Sequence, residues 1–274
     1  MPMPRPAPWR RLPSALVLAA TALVAAHAAA DSSPEAKGRA VFEEMDRRDS
    51  GFGDSSVSLE MILSNRQGDE SRRRLNLETL EGNGAKGAGD RTLMVFDFPP
   101  DVRGTALLTY TKITEPDDQW LYLPAVKRVK RVSSANKAGP FLGSEFAYED
   151  FIAQEVEKFT YRWLKDEPCG DQACFVVQRT PVYEGSGYLR QVVWLDQAEY
   201  RPMRIDYYDR KDELAKTLSF DGYRRYADRF WRAATLTMKN HQTGKSTVLS
   251  FAEYRFGKGI TEDRFNPEGL AHLW

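Results

Sequence analysis

The sequence predicts a mainly β fold with a few helices, an α+β chain built on one antiparallel sheet that is strongly curved or partly closed. Many successive stretches alternate apolar and polar residues, which is typical of half-buried strands. Aromatic residues make up 12% of the chain, a content that favours strands over helices. The predicted strands also follow one another without a helix between each pair, which argues against a parallel sheet.

The first thirty residues have the features of a secretion signal. Three arginines precede a mostly apolar run at 12–26, and small alanines follow it. The run is too short and too rich in alanine for a typical membrane span. We therefore expect residues 1–30 to be a cleaved signal peptide and residues 31–274 to form a single exported, periplasmic domain. An uncleaved N-terminal anchor is the alternative.

A helix is predicted directly after this leader. Ser33 is a suitable N-cap, Pro34 fits the first helical position, and Glu35 suits the positive end of the helix dipole. Apolar residues then recur at helical spacing, and the pattern ends near 49–51.

From residue 55 the apolar period changes from helical spacing to two residues. Leu59 and Met61, for example, alternate with Ser58 and Glu60. The glycine-rich stretch 81–90 is predicted to be a flexible loop. The predicted strands span 55–64, 72–80, 92–98, 106–111, 119–123, 126–132, 161–164, 174–179, 189–195, 201–208, 214–226, 231–240 and 247–256.

One segment interrupts the strands. Residues 139–144 form an aromatic, glycine-containing loop, and Ser144 could cap a helix over 145–151. Such a helix could cover the open face of a curved sheet as a lid. Glu145, Glu149 and Asp150 lie near its expected N-terminus, where the helix dipole alone favours acids.

Cys169 and Cys174 are the only two cysteines of the chain. The residues between them are turn-like, and strand-like residues flank the pair. In an exported protein this pattern predicts a disulfide across a hairpin tip. A redox-active pair is the alternative, but the C-x4-C spacing differs from the C-x-x-C of redox motifs.

The sharpest cluster of charge is a basic run formed by Lys127, Arg128, Lys130 and Arg131. On a strand these side chains alternate between the two faces. One interpretation is a solvated edge strand that charge protects from aggregation. The other is a docking patch for anionic lipid headgroups or for an acidic surface of a membrane transporter.

Charge and motifs exclude several function classes. Lysine plus arginine equal aspartate plus glutamate at 39 each, so bulk charge gives no indication of nucleic-acid binding. The sequence has no nucleophile elbow, P-loop or H-E-x-x-H motif, and no His/Cys/Asp set with metal-ligand spacing. We therefore predict no catalytic residue, no cofactor and no metal.

Two neighbouring motifs resemble a known family. One is Gln-Trp-Leu-Tyr-Leu-Pro at 119–124, followed by the basic run, and the other is Gly-Ser-Glu-Phe-Ala-Tyr-Glu-Asp at 143–150. Trp-Leu-Asp at 194–196, with Arg-Pro-Met-Arg at 201–204, adds to the likeness. Together they resemble the outer membrane lipoprotein-sorting proteins, a branch of the LolA-like superfamily often associated with RND-type transporters. The resemblance covers most of residues 36–274.

The resemblance implies an incomplete antiparallel β-barrel, the LolA-like half-barrel, with a helical lid. It also implies a periplasmic carrier that binds a lipid, or the acyl chains of a lipoprotein, and moves it between the inner membrane and the outer envelope. An RND-type inner-membrane transporter is the implied partner. Nothing in the sequence distinguishes lipoprotein from free lipid as the cargo, and release would require the lid to move.

A carrier of this kind needs an apolar groove rather than a catalytic group, because each buried CH₂ contributes roughly 0.8 kcal/mol. Each groove candidate could instead belong to an ordinary packed core. The candidates near the lid and at inward strand positions are Leu93, Val95, Trp120, Tyr122, Phe141, Leu142, Phe146, Tyr148 and Phe151.

Two other functions stay open at this stage. The first is a non-transporting accessory or scaffold protein that docks on a membrane transporter through residues 127–131. The second is an envelope hydrolase or isomerase, which would need a cavity lined by two or more ionisable groups.

Overall fold

A computed structural model of the protein describes Met1 and residues 33–273. The expected signal peptide lies outside the described residues. Within residues 33–273, no helix combines the length and the apolar composition that a bilayer crossing requires.

The chain begins with helix α1, Pro34–Asp49. The Ser33 side chain accepts a hydrogen bond from the Ala36 amide at 3.0 Å, and Pro34 occupies the first turn. The predicted helix start is thus confirmed. Val41 and Phe42 on α1 are buried against the sheet.

Sixteen strands follow in the described part of the chain, and every ladder is antiparallel. The predicted strands 214–226 and 231–240 each form two, and Gly222, with φ +67°, turns the chain inside the first of them. The strands are β1 Asp54–Ser64, β2 Glu70–Leu80, β3 Ala88–Phe98, β4 Ala106–Lys112, β5 Asp118–Leu123, β6 Arg128–Arg131, β7 Phe159–Cys169, β8 Gln172–Pro181, β9 Arg190–Asp196, β10 Pro202–Tyr208, β11 Leu214–Asp221, β12 Arg224–Tyr226, β13 Phe230–Arg232, β14 Thr235–Asn240, β15 Ser246–Phe251 and β16 Arg255–Phe256.

One sheet of 14 strands forms the body of the fold. Its order is β6-β5-β4-β3-β2-β1-β15-β14-β11-β10-β9-β8-β7, with β16 also paired to β1. The short strands β12 and β13 form a separate ribbon between β11 and β14. Because β6 and β7 remain unpaired edges, the sheet is not closed into a barrel. This confirms the predicted fold class.

Both faces of the sheet are covered. On β3, Met94 and Phe96 belong to the larger core, which includes α1, whereas Leu93 and Val95 belong to a smaller core on the opposite face. The C-terminal 3-10 turns, Glu262–Phe265 and Pro267–His272, supply Phe265 and Leu270 to that smaller core. We call the face under α1 the concave face and the other the convex face.

Residues 137–158 cross the concave face, and we call them the strap. The single helix predicted over 145–151 is not formed. Leu142 has φ +47°, and the Phe141 amide donates to the Phe146 carbonyl at 2.7 Å, so the chain folds back before a helix can start. The strap instead contains the 3-10 turns Phe141–Gly143, Tyr148–Phe151 and Val156–Lys158. Three further 3-10 turns are Ala85–Gly87, Pro124–Val126 and Ser134–Asn136.

The predicted disulfide and the basic strand lie at the two edges of the sheet. Cys169 ends β7, and the predicted disulfide to Cys174 is present with a Cα–Cα distance of 5.8 Å. At the opposite edge, all four residues of β6 are exposed.

Candidate functional site

An apolar chamber of about 290 Å³ lies between the concave face and the strap. Its wall follows from the period-two pattern, because every second side chain of each strand faces the same side. The walls include Leu59, Met61, Leu75, Leu77, Met94, Val193, Ile205, Leu218, Phe220, Leu236, Leu249 and Phe251, with Phe42 and Met45 from α1.

The chamber opens into a wider mouth of about 910 Å³. Residues such as Met45, Leu77, Phe220 and Leu236 line both spaces, so the two spaces adjoin each other. The mouth lies between the C-terminal end of α1, the 81–90 loop and the β12–β13 ribbon. An elongated apolar ligand could therefore lie partly in the chamber and extend towards solvent.

Charged side chains surround this mouth. Glu81, Asp90 and Glu155 contribute acids, while Arg201, Arg225, Arg229 and Arg232 contribute bases. Burial raises the pKa of Asp90 to about 6 and the pKa of Glu155 to about 7, and the nearby Asp90 carboxylate adds to the rise at Glu155. The Arg229 guanidinium donates to the Ser50 carbonyl at 2.6 Å and so ties the ribbon to the end of α1.

Two strap acids project into the chamber wall, but hydrogen bonds hold both. Glu149 accepts from the Ser186 hydroxyl at 2.8 Å, the Gly187 amide at 2.8 Å and the Tyr183 hydroxyl at 3.0 Å. Asp150 accepts from the Ala147 amide at 2.7 Å. Burial raises the pKa of both carboxyl groups. Their role as helix N-terminal acids, expected from the sequence, gives way to a role in fixing the strap.

Arg179 on β8 is the buried base of the chamber, with 4% of its surface exposed. Its Nε donates to Gln191 Oε1 at 2.7 Å, and its guanidinium carbon lies 4.6 Å from the ring centroid of Phe159. The sequence reasoning missed this residue. A signal was available, because Arg179 is two positions from the fully buried Val177 and so shares its face.

The nine groove candidates separate into three groups. Phe146 and Phe151 line the chamber. Phe141, Leu142 and Tyr148 are strap residues that pack in the larger core. There the Phe141 ring centroid lies 4.8 Å from that of Phe151.

The other four candidates do not line the chamber. Leu93, Val95, Trp120 and Tyr122 lie on the convex face, where they pack around Phe265 and Leu270. For Leu93 and Val95 the physical reason is the strand pleat, since Met94 and Phe96, their neighbours along β3, take the concave positions.

The candidate docking patch lies at the β6 edge of the sheet. Arg128, Lys130 and Arg131 are exposed on β6, and Lys127 precedes them with φ +49°. Arg131 forms an ion pair with Asp118. In the order of strands, the patch lies at the edge of the sheet, whereas the chamber walls come from strands nearer the middle.

Among residues 33–273, no group of three His, Cys, Asp or Glu side chains is placed to hold a metal ion.

Comparisons with known proteins agree with this architecture. A family described as uncharacterized protein matches residues 88–272. A domain from Vibrio parahaemolyticus that is named for outer membrane lipoprotein sorting is 51% identical, with 86% of this chain and 98% of that one covered and a TM-score of 0.83. A DUF1329 family protein from Desulfovibrio piger is 28% identical, with 87% and 100% covered and a TM-score of 0.81.

A LolA superfamily protein from Nitrosomonas europaea shares the fold at 17% identity, with 84% of this chain and 97% of that one covered and a TM-score of 0.67. No curated protein matches the chain.

Proposed function

The chain belongs to the LolA-like family that includes the DUF1329 proteins, and we propose that it is a periplasmic carrier of acyl chains. The carrier binds a lipid, or the acyl part of a lipoprotein, and moves it between the inner membrane and the outer envelope. We propose an RND-type inner-membrane transporter as its partner. The chemistry is burial alone and uses no catalytic group or cofactor.

One observation carries this proposal: the apolar chamber adjoins an open mouth and shares lining residues with it. Each CH₂ that leaves water for such a chamber contributes roughly 0.8 kcal/mol. A chain that lies partly in the mouth keeps contact with solvent, so it can also leave. This combination suits a carrier, which has to release its cargo.

Native mass spectrometry and lipid extraction test the proposal directly. The mature protein would be purified without detergent from a periplasmic fraction, and we expect a stoichiometric lipid or acylated peptide. Leu236→Trp fills the passage between chamber and mouth, so it should remove the cargo. Leu214→Trp, at a position 36% exposed on β11, is the matched control and should retain it.

A folded protein that emerges empty, and that also fails to bind fluorescent acyl probes, would refute the carrier function. Equal cargo in the two tryptophan variants would instead refute the chamber as the binding site.

The exposed β6 edge favours a second candidate, a non-transporting accessory protein that docks on a membrane transporter. Replacing Lys127, Arg128 and Lys130 by glutamine should then abolish binding to that transporter while lipid affinity persists. Arg131 is left in place because it pairs with Asp118. The matched control neutralises Arg210 and Lys211, which are exposed in the β10–β11 turn. Unchanged transporter binding in the first variant would exclude this role for β6.

A further inference from the structure

The chamber holds a positive charge whose ligand can be inferred. Arg179 lies on β8 between Tyr161 of β7 and Gln191 of β9, and its side chain faces the apolar chamber. Only 4% of its surface is exposed. Guanidinium groups stay protonated in proteins, so this charge persists even though burial lowers the pKa of Arg179.

The hydrogen bonds of this guanidinium are incomplete. Nε donates to Gln191 Oε1 at 2.7 Å. Among residues 33–273, nothing accepts a hydrogen bond from either terminal nitrogen, and no carboxylate forms an ion pair with Arg179. The rings of Phe159 and Phe42 lie 4.6 and 5.4 Å from its central carbon, which places apolar faces beside the group rather than acceptors.

The two acids of the chamber do not fill this gap. Glu149 already accepts three hydrogen bonds, and Asp150 is held by the Ala147 amide and the Tyr188 hydroxyl. Asp150 attracts the Arg179 charge, but neither acid accepts a hydrogen bond from the guanidinium or forms an ion pair with it. Among the described residues, the two terminal nitrogens of Arg179 therefore remain without an acceptor.

A buried charge without a partner is costly, and a planar guanidinium with two free nitrogens matches a carboxylate or phosphate by paired hydrogen bonds. Gln191 holds Nε, so the free nitrogens are the ones left for a ligand. The same space is otherwise walled by leucine, methionine and phenylalanine side chains. The site thus combines an anion-binding end with an apolar remainder.

We propose that the cargo is a single-chain amphiphile with an anionic head, bound head-inward with its carboxylate or phosphate on Arg179. The acyl chain runs along the chamber past Leu236 and Phe220 and emerges at the mouth. This inference rests on the proposed carrier function and narrows its cargo. It favours a free anionic lipid over a lipoprotein, because acyl chains attached by ester or amide bonds carry no free carboxylate.

Displacement of the neutral fluorophore N-phenylnaphthylamine tests the assignment in the mature protein. The competitors are palmitate, hexadecyl phosphate and neutral hexadecanol, each below its micelle-forming concentration. In the native protein we expect at least one of the two anions to compete at least about tenfold better than the alcohol, as a charged hydrogen bond predicts. The comparison of palmitate with hexadecyl phosphate identifies the preferred head.

Arg179→Met keeps the apolar stem and removes the charge, so the preference for the anion should fall to about one while hexadecanol still binds. Arg179→Lys retains charge without the paired geometry and should keep part of the preference. Arg210→Met, at an exposed arginine of the β10–β11 turn that lines neither the chamber nor the mouth, is the matched control and should behave as native.

An anion preference that survives in Arg179→Met, or that is missing from the native protein, would overturn this inference and leave the carrier function standing. Failure of the native protein to bind the fluorophore and all three competitors would overturn both.

Discussion

Removing one phenylalanine from the convex face should lower stability without changing cargo binding. Phe265 is fully buried in the smaller core with Leu93 and Leu108, and it belongs to the C-terminal segment rather than to the sheet. The carboxylate of Asp54 anchors that segment by accepting from the Lys258 amide at 2.7 Å and the Gly259 amide at 3.1 Å. We therefore predict that Phe265→Ala leaves a cavity that the anchored backbone cannot close.

The expected magnitude follows from the burial. A fully buried Phe→Ala change costs about 3–5 kcal/mol of the free energy of unfolding. For a domain of this size each kcal/mol shifts Tm by about 2–4 °C. The melting temperature should therefore fall by roughly 6–20 °C.

Thermal melts followed by circular dichroism, together with urea titrations, measure this loss. The control is Phe98→Ala at the end of β3, where the side chain is 41% exposed and Tm should change by only a few degrees. Binding of N-phenylnaphthylamine below the transition should be native in both variants, because neither residue lines the chamber. A Phe265→Ala variant that melts like the control, or one that stays folded but loses probe binding, would refute the separation of the two faces.

Three further predictions concern local features. Reducing the Cys169–Cys174 disulfide should lower the free energy of unfolding by about 2 kcal/mol, which is the loop-closure value for so short a loop. A change near zero in urea titrations would contradict this prediction. Because burial raises the pKa of Glu155 to about 7 from an ordinary value of 4.5, the folded state binds its proton more tightly. Stability should fall as pH rises from about 5 through 7, and Glu155→Gln should flatten that dependence in melts at pH 5 and pH 8. Gly38→Ala should lower the stability of the protein despite the better helix propensity of alanine, because the added Cβ would lie 2.7 Å from the Trp163 backbone nitrogen on β7. A variant as stable as the native protein would show that α1 can shift.

Local sequence signals predicted local structure well. The cap and first turn of α1 were predictable because Ser33 and Pro34 act within one turn of the chain. The hairpin at 169–174 was predictable because two cysteines and a turn lie within six residues. The strap was not, since Phe141–Phe146 closes on itself through one backbone hydrogen bond that competes with a helix.

The faces of the sheet were harder to assign. A period of two says that Leu93 and Met94 point to opposite sides, but both are apolar and both are buried. The two sides differ only in what covers them, which is α1 on the Met94 side and the C-terminal segment on the Leu93 side. That segment is distant in sequence and has little periodicity of its own, so no local pattern distinguishes the two faces of β3.

The route of cargo release illustrates why the strap matters. A lid that opens would have to break the three hydrogen bonds of Glu149 and the buried ion pair between Lys158 and Asp117. Each buried bond that is broken without replacement leaves a polar group unsatisfied, which costs more than the bond itself contributed.

The mouth offers an easier path than the strap. It is already open, and its rim is formed by the end of α1 and the short β12–β13 ribbon. The ribbon is linked to α1 by the exposed Arg229–Ser50 hydrogen bond and by the ion pair between Arg232 and Asp49. Small movements of this ribbon would widen the passage at Leu236 while the strap stays in place. Cargo exchange should therefore respond to Arg229→Met, which removes one of the two links and leaves the Arg232–Asp49 ion pair, through a faster off-rate of N-phenylnaphthylamine in stopped-flow dilution. An off-rate that is unchanged in Arg229→Met but rises when Glu149→Gln weakens the strap would place the exit under the strap instead.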